Sequence, residues 1–232
     1  FINPSGTNGV INNTGTFQVD SPTSVSVTTF DTSGGTLQVA AGQTLRFNNG
    51  GTVVVGTATS FGTATGTVAV SGGTVNVASD TTVGAGGVTL SLTSTTINSS
   101  VSIVNPSGAT ATFVNVTDNG TFANSGTLTI AAGTSSTLNG ALTNGGTIQL
   151  LSTTNALTAL TVATGFTNQG LIDLQSHNGS INPTTFNVSA GTLTNALGAT
   201  VRSSGLVGTA TSVLNAPFTR EIITSGVFRY GR

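Results

Sequence analysis

Gly66-Thr67-Val68-Ala69-Val70 and, two residues further on, Gly73-Thr74-Val75-Asn76-Val77 repeat one phrase: a turn residue, then Gly-Thr, then apolar and polar residues in alternation. Gly suits a turn because it accepts positive φ without steric penalty, and Thr, Val and Ile suit a pleated, half-buried surface. Alternation with a period of two places Val68 with Val70, and Val75 with Val77, on one face of a short strand. Each phrase therefore reads as a turn followed by a strand of about four residues.

The phrase recurs along most of the chain. It begins at Gly15, Gly35, Gly51, Gly66 and Gly73, and again at Gly120, Gly126, Gly146 and Gly191, with looser copies at Gly87, Gly170 and Gly226. Between residues 88 and 118 the Gly-Thr pair fades, but alternation persists in Val88, Leu90 and Leu92, in Val101 and Ile103, and in Phe113 and Val116. There Asn105-Pro106-Ser107-Gly108 supplies the turn. Asn155 to Gly165 carries Leu157, Leu160 and Thr164 at helical spacing, but its Thr content favours strand and loop.

A strand with two or three inward apolar residues cannot bury a face alone, so the copies must stack on one another. The sequence predicts an all-β, right-handed parallel β-helix (β-solenoid) as a single domain over residues 1–232. Its coils are irregular, about 15–24 residues long, and ten to twelve of them would use the chain. A β-sandwich is the competing arrangement, because it too has short alternating strands with frequent turn signals.

Charge composition separates the two. The 232 residues contain 5 basic residues, all Arg, and 6 acidic ones, whereas 47 Thr, 25 Ser, 21 Asn and 32 Gly make up more than half of the chain. In a stack of coils, equivalent residues lie about 4.8 Å apart, so like charges repel all along a ladder while Thr, Ser and Asn can hydrogen-bond along it. A sandwich has no comparable reason to exclude Lys. The same counts argue against nucleic acid as a partner, since that affinity comes from clustered Lys and Arg. The longest apolar runs, such as Val53 to Val55, are far too short for membrane insertion as a helix. With no Cys there is no disulfide framework, and the lack of Cys, Met and Trp suits an oxidising exterior. A start at Phe1, with no Met anywhere, reads as a processed or excised part of a longer product.

Three stretches carry a resemblance: Leu142-Thr143-Asn144-Gly145-Gly146-Thr147-Ile148, Phe166-Thr167-Asn168-Gln169-Gly170-Leu171-Ile172-Asp173-Leu174 and Leu193-Thr194-Asn195-Ala196-Leu197-Gly198-Ala199-Thr200-Val201. They look like coils of the large bacterial surface proteins with parallel β-helical regions, the filamentous-haemagglutinin-like adhesins and autotransporter passenger domains. The resemblance implies an extracellular or cell-surface location and a structural or adhesive role. It implies no catalytic or ligand-binding residue, and it places any membrane barrel outside this sequence.

Catalysis on this fold, as in pectate-lyase-like and polygalacturonase-like enzymes, requires clustered carboxylates. Asp20, Asp31, Asp80, Asp118, Asp173 and Glu221 are scattered, and even Asp20 and Asp31 fall on different sides of a stack. They read as isolated turn residues. His177, the one His, sits beside the Asn178-Gly179 turn and reads as a surface residue. No enzyme, cofactor or metal site is expected. Phe17, Phe30, Phe47 and Phe61 read as an interior aromatic stack. Six glycosylation sequons, at Asn12, Asn98, Asn115, Asn119, Asn178 and Asn187, are what chance gives for this many Asn, Ser and Thr. Thr-Ala-Thr triplets at Thr57, Thr63, Thr110 and Thr209 raise ice binding as a remote alternative, which their irregular spacing along the chain argues against.

Four of the eleven charges, Arg220, Glu221, Arg229 and Arg232, lie near the C-terminus. Residues 217–232 therefore read as a cap or an assembly segment, with Phe1, Arg220, Glu221, Phe228, Arg229, Tyr230 and Arg232 as its candidate residues. The function expected is that of a non-enzymatic structural protein of the cell surface or extracellular matrix, either an adhesin stalk module or a self-assembling filament subunit. Its partners would be further copies of itself, or a host or cell-surface glycan or protein receptor. A polysaccharide-binding or polysaccharide-cleaving β-helix protein is the alternative.

Overall fold

The computed structural model describes residues 9–48, 50–56, 66–82, 89–152, 156–176, 182–205, 211–220 and 229–230, with the backbone alone for residues 176, 205, 220, 229 and 230. Among the described residues there is no helix, and every strand pairing is parallel. The chain is a β-solenoid of about 8 turns. Parallel pairing throughout rules out the sandwich, whose sheets are antiparallel.

Coils described along their whole length contribute strands to three faces. Face 1 is a nine-stranded sheet built from Thr23–Val25, Thr44–Phe47, Thr67–Ser71, Thr89–Thr93, Thr110–Val114, Thr127–Ile130, Thr147–Leu150, Leu171–Ser176 and Thr200–Gly205. Face 2 begins with Val10–Asn12 and Thr29–Asp31 and continues through Thr52–Val55, Thr74–Val77, Thr96–Ser99, Thr117–Asp118 and Ser135–Leu138. Face 3 holds Thr81–Thr82, Ser102–Asn105, Thr121–Asn124 and Leu142–Asn144. By chain order the pair Thr16–Val19 and Thr36–Val39 belongs to the same side. The long strands Thr158–Asn168 and Thr184–Asn195 run from face 2 around the corner into face 3, with a register shift between Thr164 and Phe166.

Register fixes the coil length at each step, and the steps are unequal. Along face 1 the first strand position passes from Thr44 to Thr67, Thr89, Thr110, Thr127 and Thr147, then to Leu171 and Thr200. Coils are shortest in the middle of the chain and longest towards its C-terminal end. The steps range from 17 residues, Thr110 to Thr127, to 29 residues, Leu171 to Thr200. The longest coil thus exceeds the expected limit, and there are about 8 coils rather than ten to twelve. The reason is that the Gly-Thr phrase marks strands, not coils. Gly66-Thr67 opens a face 1 strand and Gly73-Thr74 opens the face 2 strand of the same coil.

The glycines of the phrase serve close packing more than positive φ. Gly126, Gly146 and Gly170 stand over one another, and a Cβ on Gly146 would collide with the Gly126 carbonyl, as one on Gly170 would with that of Gly146. Positive φ is used instead at turn tips such as Gly108, at 82° in the Asn105-Pro106-Ser107-Gly108 turn.

Inside, the alternation builds continuous ladders. Leu45, Val68, Leu90, Ala111, Leu128, Ile148, Ile172 and Val201 stack in register along face 1, all of them buried. One apolar cluster runs from Val19 to Leu214. Each fully buried Val, Leu, Ile or Phe contributes roughly 1.5–3 kcal/mol, so the coils are held chiefly by contacts with the coils above and below. Phe17, Phe30 and Phe47 meet in the interior, with ring centroids 5.2 and 4.9 Å apart, but they approach from three different faces. Phe61 lies outside the described residues.

At the corner between faces 3 and 1, Asn105, Asn124, Asn144, Asn168 and Asn195 form a buried ladder. Each Nδ2 donates to the Oδ1 of the next, at 2.8, 2.8, 2.7 and 2.7 Å. The Nδ2 groups of Asn105, Asn124, Asn144 and Asn168 also donate to the carbonyls of Thr127, Thr147, Leu171 and Thr200. A chain that turns without covering its backbone leaves polar groups unsatisfied, and this column satisfies them one coil after another.

Candidate functional site

The outward residues of face 2 form two columns. In the first, Thr29, Thr52, Thr74, Thr96, Thr117, Thr137 and Thr161 are consecutive register partners. Asn187 follows in the same column, its Nδ2 donating to Thr161 Oγ1 at 3.3 Å. Two residues along each strand lies the second column, where Asn76 pairs with Asn98. Asn119 Nδ2 donates to Asn98 Oδ1 at 3.1 Å, and Asn139 Nδ2 to Asn119 Oδ1 at 2.8 Å. The Thr column is half-buried, and Asn98, Asn119 and Asn139 are exposed.

Thr suits these outward strand positions, where a β-branched side chain stiffens the pleat and its hydroxyl stays wet. Face 1 has a comparable column, Thr44, Thr67, Thr89, Thr110, Thr127 and Thr147. The column beside it is mixed: Arg46, Ala69, Ser91, Thr112, Thr129, Gln149, Asp173 and Arg202. Spacing along the chain hides these arrays, because coils of different length still deliver Thr to the same column. The Gly-Thr phrase marks only part of the face 2 column, at Thr52 and Thr74, and the other Thr follow other residues.

The carboxylates are dispersed, as their spacing predicts. Asp20 follows a face 3 strand and is exposed, both its oxygens accepting from Gln18 Nε2 at 2.9 Å. Asp31 ends a face 2 strand and accepts from the Ser33 amide and hydroxyl at 2.9 and 2.7 Å. Asp80 accepts the Ser102 amide of the next coil at 2.8 Å. Among the described residues, no three of His, Cys, Asp and Glu come together in a way that could hold a metal ion. His177 and Glu221 lie outside the described residues.

Two carboxylates are buried, and one of them is not in a turn. Asp118 does cap a turn, its Oδ1 accepting the Gly120 amide at 2.9 Å, yet it points into the core. In register it sits between Ile97 and Leu138, in the column of Phe30, Val53 and Val75. Its Oδ2 is buried without a hydrogen-bond partner. Burial pushes the carboxyl up to about 6, against the smaller lowering effect of the Gly120 amide.

Asp173 lies mid-strand on the outer side of face 1. Arg202 donates to its Oδ2 at 2.9 Å, Ser204 to Oδ1 at 2.5 Å and Gln175 to Oδ2 at 3.3 Å. Burial works to raise its pKa, but these hydrogen bonds and the Arg202 charge outweigh it and hold the carboxyl below the usual range. The arrangement ties the last two described face 1 strands together.

Of the predicted cap or assembly residues, Arg220 ends the strand Phe218–Arg220, which pairs with Leu193–Asn195. Arg229 and Tyr230 pair with Val213 and Leu214. Both segments therefore extend the parallel stack. Phe1, Glu221, Phe228 and Arg232 lie outside the described residues. No protein family, no curated protein and no solved structure matches this chain.

Proposed function

We propose that the chain is a non-enzymatic structural module of the cell surface or extracellular matrix, a rigid stalk that sets the distance between other parts of an adhesin. The observation that carries this reading is the single unbroken core, with buried apolar and Asn ladders running along the stack. Eight steps at about 4.8 Å make a rod roughly 38 Å long. Such a ladder converts residues into length without a hinge, which is what a spacer needs. The resemblance to filamentous-haemagglutinin-like and autotransporter-passenger-like coils supports the same setting.

A second reading, a self-assembling filament subunit, is favoured by the end coils. Among the described residues, Thr23–Val25 and Thr200–Gly205 each pair on one side only, and a filament would add a further coil at such an edge. Negative-stain microscopy over a range of concentrations separates the two. Polymers that lengthen with concentration support the filament, whereas dispersed short rods support the stalk. Release of oligosaccharides from a panel of acidic and neutral glycans would overturn both.

A further inference from the structure

The outward columns of face 2 are not needed to build the core, yet they are the most regular feature of the surface. Seven Thr occupy consecutive rungs, flanked over four rungs by Asn76, Asn98, Asn119 and Asn139. Successive rungs are about 4.8 Å apart, and residues i and i+2 of a strand about 6.7 Å apart, so hydroxyls and amides form a two-dimensional lattice. Hydrogen bonds between the Asn side chains hold their amides along the stack, and β-branching holds the Thr rotamers.

The chemistry of this lattice narrows its partner. It carries no charge over Thr52–Thr161, so a charged ligand has nothing to pair with. It offers no exposed aromatic ring on which a sugar could stack, the exposed large apolar residues among those described being Val10, Leu157 and Leu197. At roughly 30 Å by 10 Å it presents about 300 Å², well short of the roughly 800 Å² per partner of a stable protein interface, and it lacks the Trp, Tyr or Arg anchors that make such interfaces tight. What suits it is a partner that is itself an extended, uncharged lattice of donors and acceptors. In a tetrahedral water network with O···O of about 2.8 Å, second-neighbour oxygens lie about 4.5 Å apart, within roughly a tenth of the rung spacing.

We propose that face 2 is an ice-binding surface, on which the Thr hydroxyls and methyls and the Asn amides order a layer of water that matches the crystal. The irregularly spaced Thr-Ala-Thr triplets are not this array: Thr57, Thr63 and Thr209 lie outside the described residues, and Thr110 is on face 1. Thr52, Thr74, Thr96, Thr117, Thr137 and Thr161 are unevenly spaced in the sequence, yet all of them land in the same column. Face 1 serves as the control: its second column is charged at Arg46, Asp173 and Arg202, whereas that of face 2 is charged at Asp31 alone and otherwise reads Val54, Asn76, Asn98, Asn119 and Asn139.

The test is thermal hysteresis and ice-recrystallisation inhibition of the full chain and three variants. The wild type should show a hysteresis gap and shaped crystals. Thr96→Tyr, in the middle of face 2, should reduce both to buffer level, while Thr89→Tyr on face 1 leaves them unchanged. Thr96→Val keeps the shape of the side chain and serves if the Tyr variant does not fold; it should lower hysteresis at least two-fold with an unchanged circular-dichroism spectrum. Absence of hysteresis in the wild type, or equal losses from the two faces, would overturn the proposal.

Discussion

The coils between Thr44 and Thr82 and those between Ser102 and Leu150 solve one packing problem with different means. In the first region face 1 steps from Thr44 to Thr67 to Thr89, and the inward side chains are mostly Val. In the second it takes the shorter steps from Thr110 to Thr127 to Thr147, and the core carries Phe113, Phe122, Leu128, Ile130, Leu138 and Ile148. The longer perimeter with smaller fillings leaves an apolar cavity of about 20 Å³, lined by Val53, Val55, Val68, Val70, Val75 and Val77 with Leu90, Leu92, Ile97, Ile103 and Thr81. The shorter perimeter with larger fillings is tied at its corner by Asn105, Asn124 and Asn144, and Phe113 meets Phe122 edge-on at 5.5 Å. Coil length and the size of the inward side chains must therefore match, and where they do not, the stack tolerates a void because the neighbouring coils still pair.

The difference can be broken from the tight side first. Phe122→Ala should cost about 3–5 kcal/mol in urea unfolding, whereas Val75→Ala, beside the existing cavity, should cost roughly 2 kcal/mol. A cost for Val75→Ala as large as that for Phe122→Ala would contradict the looser packing of the first region.

The tight region has one weak rung, Asp118. Its carboxyl is raised from 3.8 to about 6 in the fold, so the folded chain binds more protons than the unfolded one between those values. The stability tied to this group is fully present below about pH 4 and is lost as pH rises through about 6, a change of about 3 kcal/mol. Denaturant midpoints from pH 4 to 7 should fall accordingly, and Asp118→Asn should flatten that slope. Asp173 works in the opposite sense: its lowered pKa gives stability above the usual carboxylate range that is lost in stronger acid, and Arg202, half-exposed, keeps this effect small.

Smaller effects sharpen the comparison at the corner and the cavity. Asn144→Ala removes the donor to Asn168 and the acceptor for Asn124 and should lower stability by about 1–3 kcal/mol, with amide exchange rising first in the flanking coils. Val75→Ile should fill part of the cavity and raise stability by about 0.5–1 kcal/mol. A loss on this substitution would show that the space is already closed.

Much of this architecture is legible in the residues. Alternation locates the strands, low charge points to stacking, and Phe30, Phe47 and the segment Thr158–Asn168 fall in core and strand as the sequence suggests. Coil number is not legible, because Gly73 and Gly126 open strands on different faces and equal phrases do not mark equal positions in a coil. The Thr and Asn columns are hidden for the same reason, since register and not sequence interval aligns Thr96 with Thr117. Asp118 reads as a turn residue, and it is one, but a two-residue strand leaves the turn so close to the core that the capping side chain must point inward.

The central claim is the in-register stack, and the Thr column of face 2 tests it most directly. Because the chain has no Cys, spin labels on introduced cysteines are unambiguous. With one label at Thr29 and the other at Thr117, Thr137 or Thr161, four, five and six rungs away, electron-spin distances should be about 19, 24 and 29 Å, rising by one strand spacing per rung. Equal increments from unequal residue intervals are the result expected. Distances that fail to grow from Thr117 to Thr161, as in a chain that doubles back on itself, would contradict the stack.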